Sequence, residues 1–563
     1  MRFNLNSFDL YVALIFTIFV IGLGMTLART GKSMNSFFAA GGEVPWWISG
    51  LSLFMSFFSV GTFVVWGAIA YSDGFVSVSI QTTMALSGFV IAFFIAPAWN
   101  KTGALTVADY IKSRLGQVAQ KFYSIIFLFI SLFTAGAFLY PVGKIIEVST
   151  GLSLESAILI LGLLIIAYTA LGGLWAVLVT DVLQFVVLTA AVILVIPMAF
   201  GEVGGVTTFL TKLPEGFDAL YNDEYGLVFL FAFFIYNTVF IGGNWAYVQR
   251  FTSVSGPSNA KKVAYLFGAL YLIAPLVWMI PPMIYRVIEP GLTGGDTENA
   301  YLLISQLVLP NGLLGLVLGA MVFATASSVN TTLNIASGVI TNDIYKPLKT
   351  QVTEKQLMKV ARISTLLFGI LAIIIALSIQ GMGGIIEVVM SIAALTGAPI
   401  YLPPIWTLFS KKQTGFSVVT TTAASLAINL FFKFLAPSLL GIELTRSEEM
   451  LLGVMVPIVI LSIFELTLKP RFIETPQKVN ANELPETKVD IEEESSSDSN
   501  FGRNIILLGI TGIGFLIIIL GLLADKGTNI TLVVGAIIII PPMLILKPVT
   551  YMKTLFIQLP KKL

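Results

Sequence analysis

Residues 319–343 read GAMVFATASSVNTTLNIASGVITND. The segment opens as an apolar helix. Then Thr325, Ser327, Ser328, Asn330, Thr331, Thr332 and Asn334 fall within ten positions. The rest of the chain decides what solvent these groups meet. Of 563 residues, 56% are hydrophobic and 11% charged, with a mean hydropathy of +0.91. A soluble domain carries roughly 25% charged residues, so this chain cannot clothe a water-facing surface and is solvated by lipid. A single Ser or Thr in lipid bonds back to its own helix, or a small residue serves helix packing. Seven hydroxyl or amide side chains in one short run exceed that account. Polar groups at this depth face partners or water, and this run presents oxygen around part of its helix, as a sodium site requires.

There is no cysteine and no histidine. Disulfides, thiol chemistry and the usual ligands of zinc, copper and haem iron are therefore excluded, as is the commonest proton switch near neutral pH. Any cation site is built from oxygen.

A spanning helix needs about 20 mostly apolar residues. Fifteen stretches qualify: 8–28, 46–71, 76–99, 119–146, 156–175, 177–200, 226–249, 262–287, 312–342, 361–380, 385–409, 416–436, 450–468, 504–523 and 529–546. The first is longer than a signal-peptide core and lacks a clean cleavage site, so it reads as a retained helix. With the N-terminus outside, 25 Lys/Arg lie on the cytoplasmic side, Arg250 among them, and five lie outside. The outer loops carry acids instead, among them Glu215, Asp218, Asp223 and Asp296. This bias orients the chain in the plasma membrane with its C-terminus cytoplasmic. Lys144 falls at the end of a span, three residues before Glu147, and reads as its salt-bridge partner. The connection 469–503, with ELPETKVDIEEESSSDSN, is acidic and poor in aromatics, the composition of a disordered linker.

Two further spans are unusual. Span 46–71, WWISGLSLFMSFFSVGTFVVWGAIAY, carries Ser49, Ser52, Ser56, Ser59 and Thr62 among glycines. Span 226–249 has Asn237, Gly242, Gly243 and Asn244 inside the hydrocarbon region. Each opens a block of five spans, 46–200 and 226–409. An odd block inverts in the membrane, and paired broken helices in two halves point to an inverted-repeat transporter with its site at the midplane. One acid, Asp181, lies deep within LWAVLVTDVLQFVVL, either as a capping residue or as a cation ligand or counter-charge.

These segments resemble the sodium/solute symporter family, which includes carriers of glucose, proline, iodide and sialic acid. The resemblance rests on LFMSFFSVGTF (53–63), TVADYIKSRLG (106–116), GGLWAVLVTDVLQ (172–184), VQR (248–250) and ASSVNTTLNIASGVITNDIYK (326–346), and covers roughly 8–470. It implies an all-α integral membrane protein. A five-plus-five inverted repeat of the leucine-transporter type follows a leading helix (1–45) and precedes about four extra C-terminal helices, in 410–468 and in 504–563 with its basic tail. It implies alternating access driven by sodium. By motif, the principal sodium would take the carbonyls of Met55, Phe58 and Ala324 and the hydroxyls of Ser327 and Ser328. A second sodium would take Asp181, Asn330 and Thr331, although the family has Ser or Thr where Asn330 stands.

The solute site implied by the resemblance draws on Ser59, Thr62, Gln81, Asn237, Phe240 and Tyr271. Sugar carriers have Glu where Gln81 stands, Lys where Tyr271 stands and Gln near Ala393. Amides, hydroxyls and aromatic walls suit a neutral sugar or polyol. A small carboxylate or amino acid is the alternative, since broken helices offer N-termini to an anion. A channel would need a continuous polar pore, a membrane enzyme a nucleophile–base pair or metal cluster, and a sensor would use the same solute site without moving its ligand. The partners expected are a small solute and the bilayer; no feature points to nucleic acid or requires more than a monomer.

Overall fold

In lipid, backbone N–H and C=O groups have no water to bond, so each apolar run must satisfy them internally as helix. The computed structural model describes residues 6–26, 44–58, 61–104, 106–349, 352–379, 385–470, 488–524 and 526–546, and among them there is no strand. All fifteen expected stretches are helical over most of their length.

The leading helix is α1 (Ser7–Thr26). The first block runs from α2 (Trp46–Met55) and α3 (Gly67–Asp73), the two halves of one broken span, through α4 (Val76–Val90) and α5 (Val107–Leu115) to α6 (Gln117–Thr150) and α7 (Leu154–Val203). The second block repeats the plan. Its broken span is α8 (Leu227–Gly243) and α9 (Trp245–Thr252), followed by α10 (Gly256–Ile288), α11 (Leu313–Val339), α12 (Glu354–Ser378) and α13 (Ile385–Phe409). Four helices complete the chain: α14 (Gly415–Leu430), α15 (Arg446–Thr467), α16 (Lys488–Leu522) and α17 (Thr528–Leu546).

Among the described residues ten helices are individually long and apolar enough to cross a membrane, or eleven if α8 and α9 count as one bent span. Three of the other expected spans are represented by shorter apolar pieces, Ser7–Phe19, Trp46–Met55 and Leu154–Ile166. Spans 156–175 and 177–200 were expected as separate helices, yet helical backbone continues from Leu154 to Val203. No proline lies between them, and Gly172 and Gly173 do not interrupt the helical backbone. At 1.5 Å per residue the run is about 75 Å long if straight, more than twice a hydrocarbon core roughly 30 Å thick. In the acidic connection, 471–487 lie outside the described residues, and helix begins at Lys488 rather than at 504.

The seven-oxygen helix α11 is the centre of the packing. Over its apolar window 94% of positions are buried, and it packs on α1, α6 and α7. Asp9 of α1 is buried and accepts from the backbone N–H groups of Gly312 (2.6 Å) and Gly315 (3.0 Å), capping the start of α11. The approach is close enough that a Cβ on Gly315 would lie 2.0 Å from the Asp9 carbonyl oxygen. Removing a capping carboxylate costs about 1–2 kcal/mol. Asp9→Ala is therefore expected to lower the unfolding midpoint of the purified protein, and an unchanged melt would show that the cap carries no weight. At one periphery Lys144 pairs with Glu147 at 2.8 Å, as the sequence suggested.

Candidate functional site

Both broken spans open where their sequences leave the helix pattern. α2 ends at Met55, Ser56 and Phe57 form a turn, and Phe58 N–H donates to the Met55 carbonyl at 3.1 Å. Ser59 lies outside the described residues. Helix resumes at Gly61 and passes through a wide π turn, Thr62–Trp66, before α3. Thr62 Oγ1 reaches back across the break to the Phe57 carbonyl at 2.9 Å. In the second span Asn244 is extended (φ −61°, ψ 129°), and the two halves bend by 59°. Gly242–Gly243 is a weak helix former, and the Asn244 side chain caps α9 by accepting from Ala246 N–H at 2.9 Å. Gly243 also permits contact: a Cβ there would sit 2.7 Å from Tyr401 Cβ.

Between the two breaks lies a cavity of ≈ 250 Å³. It extends from Ser56, Asn244 and Tyr247 along the π turn Thr62–Trp66, α8 and α6, toward Trp66, Phe233 and Pro141. The α2 side of the first break lies outside it. No charged side chain lines it among the described residues. Of the expected solute residues, Thr62, Asn237, Phe240 and Tyr271 line this cavity together. Asn237 Nδ2 donates to Thr83 Oγ1 at 3.2 Å, which orients its amide. Gln81 does not line it; it is buried with its Nε2 unpartnered. The side chain of Ala393 lies outside the described residues.

The walls are more aromatic than the sequence suggested. Phe57 packs 4.4 Å from Tyr247 and 6.2 Å from Phe240, and Tyr236 stacks on Phe240 at 5.4 Å. Tyr401 OH accepts from Asn244 Nδ2 at 3.2 Å. Tyr236, Tyr247 and Tyr401 had no distinguishing signal, because aromatic residues make up 12% of the chain; only the break geometry singles these out.

Ser328 and Thr331 of α11 also line the cavity, so the oxygen-rich helix borders it directly. Ser328 Oγ lies 3.5 Å from the carbonyl of Ser56. The expectation named the carbonyls on either side, Met55 and Phe58. Here Met55 is engaged by the turn, and Ser56 is the carbonyl that meets α11. Carbonyl directions in a non-helical turn follow backbone dihedrals that residue types do not specify. Ala324 is buried one turn before Ser328 on α11. Ser327 donates to Asp181 instead of facing the first break. Among the described residues no three Asp, Glu, His or Cys gather as a metal cluster.

Behind Ser327 is a buried polar network. Asp181 is fully buried; it also accepts from Ser52 Oγ at 2.5 Å and lies 3.8 Å from Arg250 Nη2. Arg250, counted above with the cytoplasmic positive charges, is itself fully buried. The group expected to hold a second sodium is thus already engaged. Asp181 faces Arg250, and Thr331 Oγ1 accepts from Arg250 Nη2 at 3.1 Å; Asn330 is buried beside it in sequence.

Two broken spans facing one cavity, beside an oxygen-lined helix, define a secondary transporter of the inverted-repeat class. The sodium:solute symporter family model matches residues 37–416, and the chain belongs to that family. It is similar to the sodium/glucose cotransporter of Vibrio parahaemolyticus, at 26% identity over 77% of this chain and 87% of that protein. It is also similar to sodium/glucose cotransporter 1 of Ovis aries, at 27% identity over 72% of this chain and 68% of that one. Its fold matches that of a Na+-coupled sialic acid symporter in a substrate-bound, outward-open state, with a TM-score of 0.70 and 21% identity over 83% of this chain and 99% of that one. The protein is a multi-pass, sodium-coupled symporter of a small solute with a five-plus-five core of the leucine-transporter type, and it belongs with carriers, not enzymes.

Proposed function

We propose that the protein couples inward movement of one sodium ion to a neutral, hydroxyl-rich solute of sugar or polyol type, by alternating access. The observation that carries this reading is the lining of the cavity, with amide and hydroxyl groups, aromatic walls and no charged side chain among the described residues. Aromatic faces cover the C–H faces of such a solute while amides and hydroxyls pair with its hydroxyls. At ≈ 250 Å³ the cavity falls just under the roughly 300–1,000 Å³ typical of ligand pockets, which suits one ring rather than two. The charge bias of the loops supports placing Ser52 and Arg250 toward the cytoplasm.

Sodium sits, in this reading, between the first break and α11. Its ligands are the hydroxyls of Ser327 and Ser328 and carbonyls drawn from Met55, Ser56, Phe58 and Ala324. Neutral oxygens replace the ion's hydration without holding it too tightly to leave. The solute is held by Thr62, Asn237, Phe240 and Tyr271, with Ser59 as a further expected contributor. Asp181, Asn330 and Thr331 are assigned no second ion, since Arg250 already engages Asp181 and Thr331.

One feature favours an anion instead: the start of α9 opens onto the cavity at Ala246, and helix N-termini bind carboxylates. Uptake into proteoliposomes under an inward sodium gradient separates the readings. A neutral sugar or polyol is expected to accumulate only with sodium. Accumulation of a carboxylate or amino acid in its place overturns the neutral-solute assignment, and binding without accumulation makes the protein a sensor. In the same assay Asn237→Ala is expected to raise the half-saturating solute concentration about tenfold, the worth of one or two hydrogen bonds, with the sodium dependence unchanged. An unaltered solute response would remove Asn237 from the site.

A further inference from the structure

Among the described residues Arg250 is the only lysine or arginine that is buried, and its side chain is fully enclosed. A buried guanidinium persists only where its donors are matched. Its Nε donates to Ser52 Oγ of α2 at 3.2 Å, and its Nη2 donates to Thr331 Oγ1 of α11 at 3.1 Å. Nη2 also stands 3.8 Å from Asp181 of α7. Nη1 turns back to its own helix, to the Ala246 carbonyl and Gln249 Oε1, both at 3.1 Å. One side chain therefore ties together four helices. Two of them, α2 and α9, belong to the broken spans; α2 lies outside the main cavity, and α9 meets it only at Ala246 and Tyr247.

Two more observations give this junction a role. First, the Asp181 carboxylate that faces Arg250 accepts the proton of Ser327. Ser327 then keeps its lone pairs for a cation, and a cation on that oxygen makes its O–H a stronger donor to Asp181. Second, a small cavity of ≈ 40 Å³ lies beyond α9. It is lined by Trp245, Val248 and Gln249 of α9 and by Ile335 and Val339 of α11. Trp245, between the two cavities, stacks on Phe127 at 4.3 Å with the rings 9° from parallel. The two cavities are thus separated at the Trp245–Phe127 contact of α9 with α6, while Arg250 braces α9 against α11 from Gln249 to Thr331.

We propose that Arg250 is a positioning residue that locks the α2 and α9 halves onto the sodium-site helix, and that sodium occupancy reaches this lock through Ser327 and Asp181. Sodium then favours the closed arrangement on the α2 and α9 side, because the ion binds more tightly where Ser327 and Asp181 are engaged. Release of the ion loosens Asp181, frees Arg250 from α11, and lets α9 move so that the two cavities join. The inference rests on the sodium site proposed above.

The absence of cysteine gives a clean reporter. Ile335→Cys places one thiol at the small cavity, and its rate of modification by a water-soluble thiol reagent is read on the reconstituted full chain. With Arg250 in place, sodium is expected to slow modification about tenfold, within the usual span of coupling between two sites. In Ile335→Cys combined with Arg250→Lys, which keeps the charge but cannot bridge Ser52 and Thr331 together, the rate should be high and indifferent to sodium. Thr331→Val, which removes one acceptor and leaves the ion pair, should lie between. Should the lysine variant fail to fold, the valine variant decides by the same criterion. Unchanged rate and sodium protection in the variants overturn the lock. Sodium-driven uptake by the unaltered chain is measured alongside. Its absence overturns the symport reading itself, whereas intact uptake with unmoved reporter rates overturns only the lock.

Discussion

Replacing Ser328 with alanine is expected to abolish sodium-driven solute accumulation in proteoliposomes while the protein still purifies as a folded species. Ser328 borders the solute cavity and reaches the Ser56 carbonyl at the first helix break. It is the hydroxyl that joins α11 to the unwound turn. A site made of neutral oxygens has little affinity to spare. A hydrogen bond or ligand contact to a charged partner is worth about 1.5–3 kcal/mol, so losing one oxygen should weaken sodium by roughly 10- to 150-fold. At physiological sodium that is enough to uncouple transport. Solute bound in the absence of sodium should be little affected. If the variant accumulates solute at the wild-type sodium concentration, the principal sodium does not lie at Ser328.

Asp181→Ala is expected to give the largest loss of stability among single substitutions in the membrane core. Asp181 and Arg250 are each fully buried. Removing the carboxylate leaves the guanidinium enclosed without a counter-charge, and breaking a buried pair from one side costs about 3–5 kcal/mol. The unfolding midpoint of the purified protein should fall accordingly. Arg250→Met together with Asp181→Ala should recover much of the loss, because no uncompensated charge then remains. A double variant as unstable as the single one would mean that Arg250 is held by Ser52 and Thr331 and owes little to Asp181. The 3.8 Å separation makes that comparison informative, since Ser52 Oγ contacts both charges directly.

The two breaks were legible in the sequence because their causes are local. Gly242, Gly243 and Asn244 combine weak helix formers with a capping side chain, and Gly61 stands where helix resumes after the first turn. The oxygen-rich run of α11 was legible for a different reason. Seven polar side chains in ten residues have no place facing lipid, so burial could be inferred from composition alone. The structure buries all seven.

Other assignments depended on distances between remote residues. Ser56 displaced its neighbours as the carbonyl meeting α11, because a turn's dihedrals aim its oxygens. Gln81, placed in the solute site by resemblance, is buried away from the cavity lining, a matter of helix rotation that single-helix periodicity does not set for a helix buried on several sides. Arg250 looked like one more cytoplasmic positive charge near a helix end. Only the packing of α2, α7, α9 and α11 shows that it is enclosed.

The sequence by itself determined that this chain lives in lipid, crosses it many times, breaks two of its helices at equivalent places and carries an oxygen-lined helix suited to sodium. Those conclusions follow from solvation costs and local backbone preferences, which act within a few residues. The tertiary structure decided which side chains share the cavity, which hydroxyl faces the break, and that Asp181 and Arg250 meet 69 positions apart. Those contacts come from helices packing against one another, and the register and rotation of each helix are set by its neighbours, not by its own sequence.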